Sequence, residues 1–194
     1  LIYQNDKLIL TDCDGVILDW ETHFHNWMHN LGHERMTAPV SYWQERQYPY
    51  LSQDEAKKHI YYFNTSAWMM GMPAFKDAQS GIAELVAAGY KFKAITAMGI
   101  DEYAIKCRQI NLENLFGKGT FVDVIATDVN DSKKNELLKH KDSGLYWIED
   151  RIDHCELGDS LGLNSLLMRH KHNETYSGNC RVVDSWADIC NIIL

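Results

Sequence analysis

Asp12 and Asp14 stand two residues apart in Asp12-Cys13-Asp14-Gly15, directly after the apolar run Leu8-Ile9-Leu10-Thr11. A short apolar run of this kind reads as an interior parallel strand, and open α/β sheets take their ligands just beyond the carboxyl ends of such strands. Paired carboxylates in that place suit phosphoryl transfer. One attacks phosphorus and forms an acyl phosphate, while the other hands a proton to the departing alkoxide. At about 5 Å and an effective dielectric near 20, two such charges repel by about 3 kcal/mol, so a divalent cation is the natural neutraliser. Mg²⁺ fits, because it takes oxygen ligands and shares them with substrate phosphate. Taken alone, D-x-D-G is only moderately specific, since Asp and Gly also crowd into ordinary turns and calcium loops.

Three further places carry matching chemistry. Thr96 ends the strand-like Phe92-Lys93-Ala94-Ile95-Thr96, Lys133 and Lys134 precede or open a helical segment, and Glu149-Asp150 close Leu145-Tyr146-Trp147-Ile148. In this order, with Asp12 and Asp14 in front, the chain resembles the haloacid dehalogenase-like hydrolase superfamily, whose four dispersed motifs here cover nearly its whole length. The resemblance implies that Asp12 is the nucleophile and that Asp14 acts first as acid and then as base. It implies that Thr96 holds the phosphoryl oxygens, with Ala97 and Met98 beside it as substrate contacts. Lys133, or Lys134 as the fallback, is the implied balancing cation. The implied cofactor is Mg²⁺ on Asp12, Asp14 (through its carbonyl) and Asp150, with Glu149 reaching it directly or through water. Halide leaves unprotonated and an alkoxide does not, so Asp14 favours phosphomonoester hydrolysis over carbon–halogen cleavage. A weaker resemblance to cytosolic 5′(3′)-deoxyribonucleotidases rests on the D-x-D-G-V-I-L-D opening that ends at Asp19 and on a late helix containing Trp186. A sugar-phosphate phosphatase, a phosphomutase or a non-catalytic binding protein on the same fold are the alternatives.

The elements needed to position these residues are legible in the pattern. Residues 77–88 read as a helix, with Ile82, Leu85 and Val86 apolar and Gly89 as its stop. Tyr103, Cys107 and Ile110 mark another helix, and Phe121-Val122-Asp123-Val124-Ile125-Ala126 reads as a strand. A helix over 133–140, a strand over 145–148, a helix marked by Leu157 and Leu161, and a strand over 165–168 follow. Trp186, Ile189, Cys190 and Ile193 make a closing helix capped at Asp184 or Ser185. Repeated β-α alternation predicts an α/β fold: a Rossmann-like three-layer core with a parallel sheet. The core is expected over 1–19 and 79–194.

Residues 20–78 have few strand signals and predict a small inserted helical unit, the C1-type cap of the resembled family. Aromatic residues crowd it: Trp20, Phe24, Trp27, Tyr42, Trp43, Tyr48, Tyr50, Tyr61, Tyr62, Phe63, Trp68 and Phe75. Most are needed simply to give so small a unit a core. Two or three are expected to face substrate, Trp20 and Phe24 first because they follow the catalytic turn; a flat ring stacks at ~1–3 kcal/mol per contact. His23, His25, His29 and His33 form a second cluster. The last three are spaced by four on a predicted helix and are read as a solvated face, with a metal site as the alternative. Asp153 and His154, after the acidic pair, suit either a supporting place around the metal or a helix N-terminus.

Composition bounds the rest. With 194 residues, 45% of them hydrophobic and 24% charged, the chain can build one good core plus a small accessory unit. A formal charge of −8 disfavours stable nucleic-acid binding but leaves a small phosphorylated substrate open. Without a long apolar run or a secretory h-region the expected location is the cytoplasm, away from membranes. Leu1 is not Met, so the natural start is expected upstream. Five scattered cysteines are expected to be reduced, and Cys13 is read as a packing residue rather than a nucleophile.

Overall fold

A computed structural model describes residues 7–36, 44–129 and 131–194; Tyr42 and Trp43 lie outside them. The first strand, β1 (Leu8–Thr11), is buried at every position, with Ile9 facing one core and Leu8 and Leu10 the other. Such two-sided burial is what a continuous apolar run buys in a parallel sheet. Five more strands join it: β2 (Lys91–Thr96), β3 (Phe121–Ala126), β4 (Tyr146–Glu149), β5 (Asn164–Met168) and β6 (Arg181–Val183). All pair in parallel in the order β3-β2-β1-β4-β5-β6. The chain runs outward from β1 to β3 and then returns to lay β4 on the other side of β1. That reversal opens a crevice at the carboxyl end of β1, the usual ligand position in such a sheet.

Helices cover both faces. They are α3 (Ala78–Ala87), α4 (Glu102–Phe116), the short α5 (Lys134–Leu137), α6 (Ile152–Ser160) and α7 (Trp186–Ile193). The Rossmann-like α/β fold predicted from the alternation is therefore present. Its details differ where local signals were weak. Strand β6 was not predicted, since Arg181-Val182-Val183 is too short to show a period. The predicted 133–140 helix is a single turn followed by a 3₁₀ turn over Leu138–His140. On α4 the inward face is Ala104, Cys107, Arg108, Asn111 and Leu112, whereas Tyr103 is 53% exposed. The true face is one residue away from the apolar reading because two of its members are polar. Trp186 of α7 is buried and donates its indole N–H to the Val16 carbonyl at 2.9 Å, tying the last helix to the loop after β1.

Between β1 and α3 the chain forms α1 (Trp20–Asn30), α2 (Gln53–Asn64) and 3₁₀ turns over Gln44–Gln47 and Ala67–Gly71. Asp19 caps α1, and Ser52 with Glu55 forms a capping box on α2. Phe24, Met28, Tyr48, Phe63 and Met69 are buried between these elements. Phe24 meets Trp20, Phe63 and Tyr48 with ring centroids 4.8, 5.4 and 6.2 Å apart. Much of the aromatic density is thus internal packing. No helix among the described residues is long and apolar enough to cross a membrane.

Candidate active site

Asp12 follows β1 directly, and its N–H donates to the Ile148 carbonyl at 2.9 Å, which sets it beside the acidic end of β4. Lys133 reaches the same point from the loop before α5. Its ammonium donates to Asp12 Oδ2 at 2.8 Å and to Glu149 Oε2 at 2.7 Å, with all three side chains nearly inaccessible to solvent. The backbone at Lys133 is left-handed, φ 58°, which is uncommon for a residue with a Cβ and is the kind of strain held at functional sites. That bend lets Lys133 drop into the cluster while exposed Lys134 opens α5. Of the two sequence candidates, Lys133 holds the contact. Thr96 ends β2, and its hydroxyl is buried with no hydrogen-bond partner. Asp12, Lys133 and Thr96 line a cavity of about 420 Å³ whose walls also include Asp14, Gly15, Trp20, Ala97 and Asp150.

Lone-pair accounting separates the carboxylates. Glu149 Oε1 accepts from the N–H groups of Asp150 and Arg151, and Oε2 accepts from Lys133 with His154 Nδ1 3.4 Å away. Glu149 therefore anchors Lys133 and the following turn, and its Oε2, which accepts only from Lys133, keeps a lone pair toward Asp12 and Asp150. Asp12 accepts once at each oxygen, from Cys13 N–H and from Lys133, leaving a lone pair on each. Asp150 has its carbonyl held by Asn173 and His172, while its carboxylate meets His172 only at 3.5 Å. Gly15, at φ +82°, is required here: a Cβ at this position would strike the Asp150 carboxylate.

No family model matches the sequence. An uncharacterised 32.4 kDa protein of Enterobacteria phage T4 is 29% identical over 192 residues, covering 94% of this chain and 68% of that one. Among solved structures, a haloacid dehalogenase-like family hydrolase from Streptococcus pneumoniae superposes with a TM-score of 0.66 at 14% identity, covering 97% of this chain and 98% of that one. A predicted phosphatase from Clostridium acetobutylicum gives 0.65 at 14% identity, over 96% and 97%. An L-2-haloacid dehalogenase from Xanthobacter autotrophicus gives 0.60 at 12%, over 96% and 98%. The chain has the haloacid dehalogenase-like hydrolase fold. Both phosphatases and dehalogenases share that fold, so the choice between them falls to the residues in the cavity.

On this fold the Asp12, Glu149 and Asp150 side chains each offer an oxygen within 4.8 Å of the others. Burial, reinforced by the charge of Glu149, pushes Asp12 up to about 8 even against the pull of Lys133. Burial and the charges of Glu149 and Asp12 hold Asp150 well above the usual carboxylate range. Hard oxygen donors whose ionisation is opposed by burial and by one another suit Mg²⁺, with Asp12 and Asp150, and Glu149 beside them, as the side chains that would hold it. Cys13, between the two acids, is fully buried, and burial pushes its thiol up to about 12, which agrees with a packing role.

Several expected contacts fall elsewhere. Phe24 is 1% exposed inside the α1–α2 packing and does not line the cavity; Trp20 does, with its indole N–H fixed to Asn64 Oδ1 at 2.9 Å. Met98 is turned into the core, leaving Ala97 at the cavity wall. Helix α1 ends at Asn30, so His33 is not on the face of His25 and His29. His25 bonds Tyr48 Oη, His29 pairs with Glu34 and His33 stacks on Tyr50, so the three have separate partners. Asp153 pairs with Arg151 rather than reaching the cluster.

Three cavity features escaped the sequence reading. His170 and His172 stack 5.5 Å apart on the loop after β5, and His170 Nε2 lies 2.6 Å from the Gly15 carbonyl. Their position beyond the carboxyl end of a strand was the available signal. Lys57, Ile60, Tyr61 and Asn64, at helical spacing on α2, form one wall. Arg108 of α4 holds both oxygens of Asp14, at 2.6 and 2.9 Å. No sequence signal distinguishes it from a solvated helix residue.

Proposed function

We propose that the protein is a Mg²⁺-dependent phosphomonoesterase acting on a small soluble phosphate ester through an aspartyl phosphate on Asp12. The observation that carries this reading is the grouping of Asp12, Lys133, the unpartnered Thr96 hydroxyl and Asp14 around one cavity. Asp12 attacks phosphorus in line. Lys133 offsets the charge of nucleophile and phosphate, and the free Thr96 hydroxyl donates to a phosphoryl oxygen, where transition-state charge collects. Asp14 protonates the leaving alkoxide and then takes a proton from the water that opens the intermediate. Asp12 and Asp150, with Glu149 directly or through water, would hold Mg²⁺, which would supply charge neutralisation at the phosphoryl oxygens. An acid at position 14 serves an alkoxide and is superfluous for a halide, which favours the phosphatase over the dehalogenase chemistry found on the same fold.

Residues 20–78 act as the cap in this proposal, closing over a core of 1–19 and 79–194. Trp20 and Tyr61 line the cavity, and aromatic rings there favour a leaving group with a planar ring, a nucleoside monophosphate first. The deciding experiment is phosphate release from a panel of nucleoside monophosphates and sugar phosphates, with Mg²⁺ and with chelator. Mg²⁺-dependent release is expected, strongest on nucleotides. Best turnover on sugar phosphates would remove the nucleotide preference. An isomerised product would indicate a mutase. Failure on every ester, alongside halide release from a 2-haloacid, would overturn the phosphatase assignment.

A further inference from the structure

Arg108 is a fully buried charge that the proposed chemistry does not use. Its side chain is 0% exposed, on the inward face of α4 among Ala104, Cys107 and Leu112. Burying a guanidinium is costly, and an apolar side chain of similar volume commonly stabilises a core as well or better. What the guanidinium does accomplish is specific. Nη1 donates to Asp14 Oδ1 and Nη2 to Asp14 Oδ2, a two-point grip that fixes the carboxylate in rotation as well as position. Asp14 itself is one-quarter exposed and lines the cavity.

The arm that holds Asp14 is itself held. Three residues further along the same face of α4, Asn111 donates from Nδ2 to the carbonyls of Met70 and Met72 at 3.1 and 2.8 Å. Those carbonyls belong to the segment where the chain returns from the α1–α2 unit to the core. One face of α4 therefore grips both the returning chain and the proposed acid. We propose that Arg108 is a positioning residue that aims the Asp14 carboxylate at the leaving group, with Asn111 setting the register of α4.

The kinetic part of this inference rests on the phosphatase reading; the structural part does not. Crystal structures of wild type and Arg108→Met are compared first. The Asp14 carboxylate is expected to leave its wild-type orientation once the fork is gone, and an unmoved carboxylate overturns the proposal even in a protein that hydrolyses no phosphate ester. Kinetics of β-glycerophosphate hydrolysis with saturating Mg²⁺ form the second arm, because its alkoxide needs an acid. Arg108→Met is expected to lower kcat by about ten- to a hundredfold, the scale of a small misplacement of a catalytic group, with KM within about twofold. Arg108→Lys, which keeps the buried charge but cannot grip both oxygens, should fall between the two and covers the case in which the Met variant does not fold. On an Asp14→Asn background the Arg108 substitutions should cost almost nothing more, since the group they aim is already disabled. The same loss with and without Asp14 would make Arg108 merely structural and sink the assignment.

Discussion

Asp12 retains one lone pair on each carboxylate oxygen after Cys13 and Lys133 have taken the others, so it can both coordinate and attack. Asp12→Asn should reduce turnover to assay background with the fold intact, because an amide keeps the shape but not the nucleophile. Near-normal turnover in a sample checked for deamidation would remove Asp12 from the role. Asp14→Asn should lose about 10²–10⁴-fold on alkoxide leaving groups, and much less on nitrophenyl phosphate, whose leaving group needs no proton. A uniform loss would count against proton transfer. The raised pKa of Asp12 adds a sign that can be checked. Below about 8 the carboxyl holds a proton that must leave before a cation can bind. Mg²⁺ affinity should therefore climb from pH 6 through 8, with proton release detectable by calorimetry in buffers of different ionisation enthalpy. Affinity independent of pH over that range would show the pocket already ionised.

At the scale of elements, α1 and α2 divide their aromatic residues between two tasks. Phe24 and Phe63 face inward, while Trp20 and Tyr61 meet the cavity. Trp20→Ala should raise KM for nucleoside monophosphates about tenfold or more, from ~1–3 kcal/mol of lost stacking, with little effect on a small generic ester. Phe24→Ala should instead destabilise by about 3–5 kcal/mol through the cavity it leaves, and lower activity on all esters in parallel. Thermal melts and KM values for the two variants on two esters separate the roles. A shift in nucleotide KM from Phe24→Ala with an unchanged melting temperature would reverse the assignment.

For the whole molecule, the acidic pocket costs stability that a bound cation would restore. Asp12 and Asp150 hold protons in the folded chain that the unfolded chain would release near pH 4. Their contribution is fully present below that value and is lost as pH rises through the folded pKa, about 8 for Asp12. Glu149, held low by Lys133 and His154 against its burial, has the opposite sign, and its contribution is lost only as pH falls below its ordinary range. Metal-free Asp12→Asn should thus match wild type below about pH 4 and melt at an increasingly higher temperature as pH rises toward 8. Mg²⁺ at a hundred times its Kd should stabilise wild type by about 2.7 kcal/mol, and the gain should vanish in Asp150→Ala. A variant Asp150→Ala that binds Mg²⁺ with wild-type affinity would place the ion elsewhere.

The sequence by itself determined the alternating architecture and the strand ends that carry Asp12, Thr96 and the Glu149–Asp150 pair. Each is a local signal, an apolar run followed by polar residues at its carboxyl end, and the parallel sheet brings such ends to one edge. It also marked Trp20, which follows the turn after β1. Only the tertiary structure decided which lysine enters the pocket, since a left-handed backbone at Lys133 is not written in Ser132-Lys133-Lys134. The same holds for Glu149, which is tied to Lys133 from the loop before α5, and for Phe24, whose burial depends on where α2 lies. Arg108 is the sharpest case. An arginine on a helix reads as solvated because isolated charge avoids the interior, and it lies buried here because Asp14, 94 residues away in sequence, is brought against it.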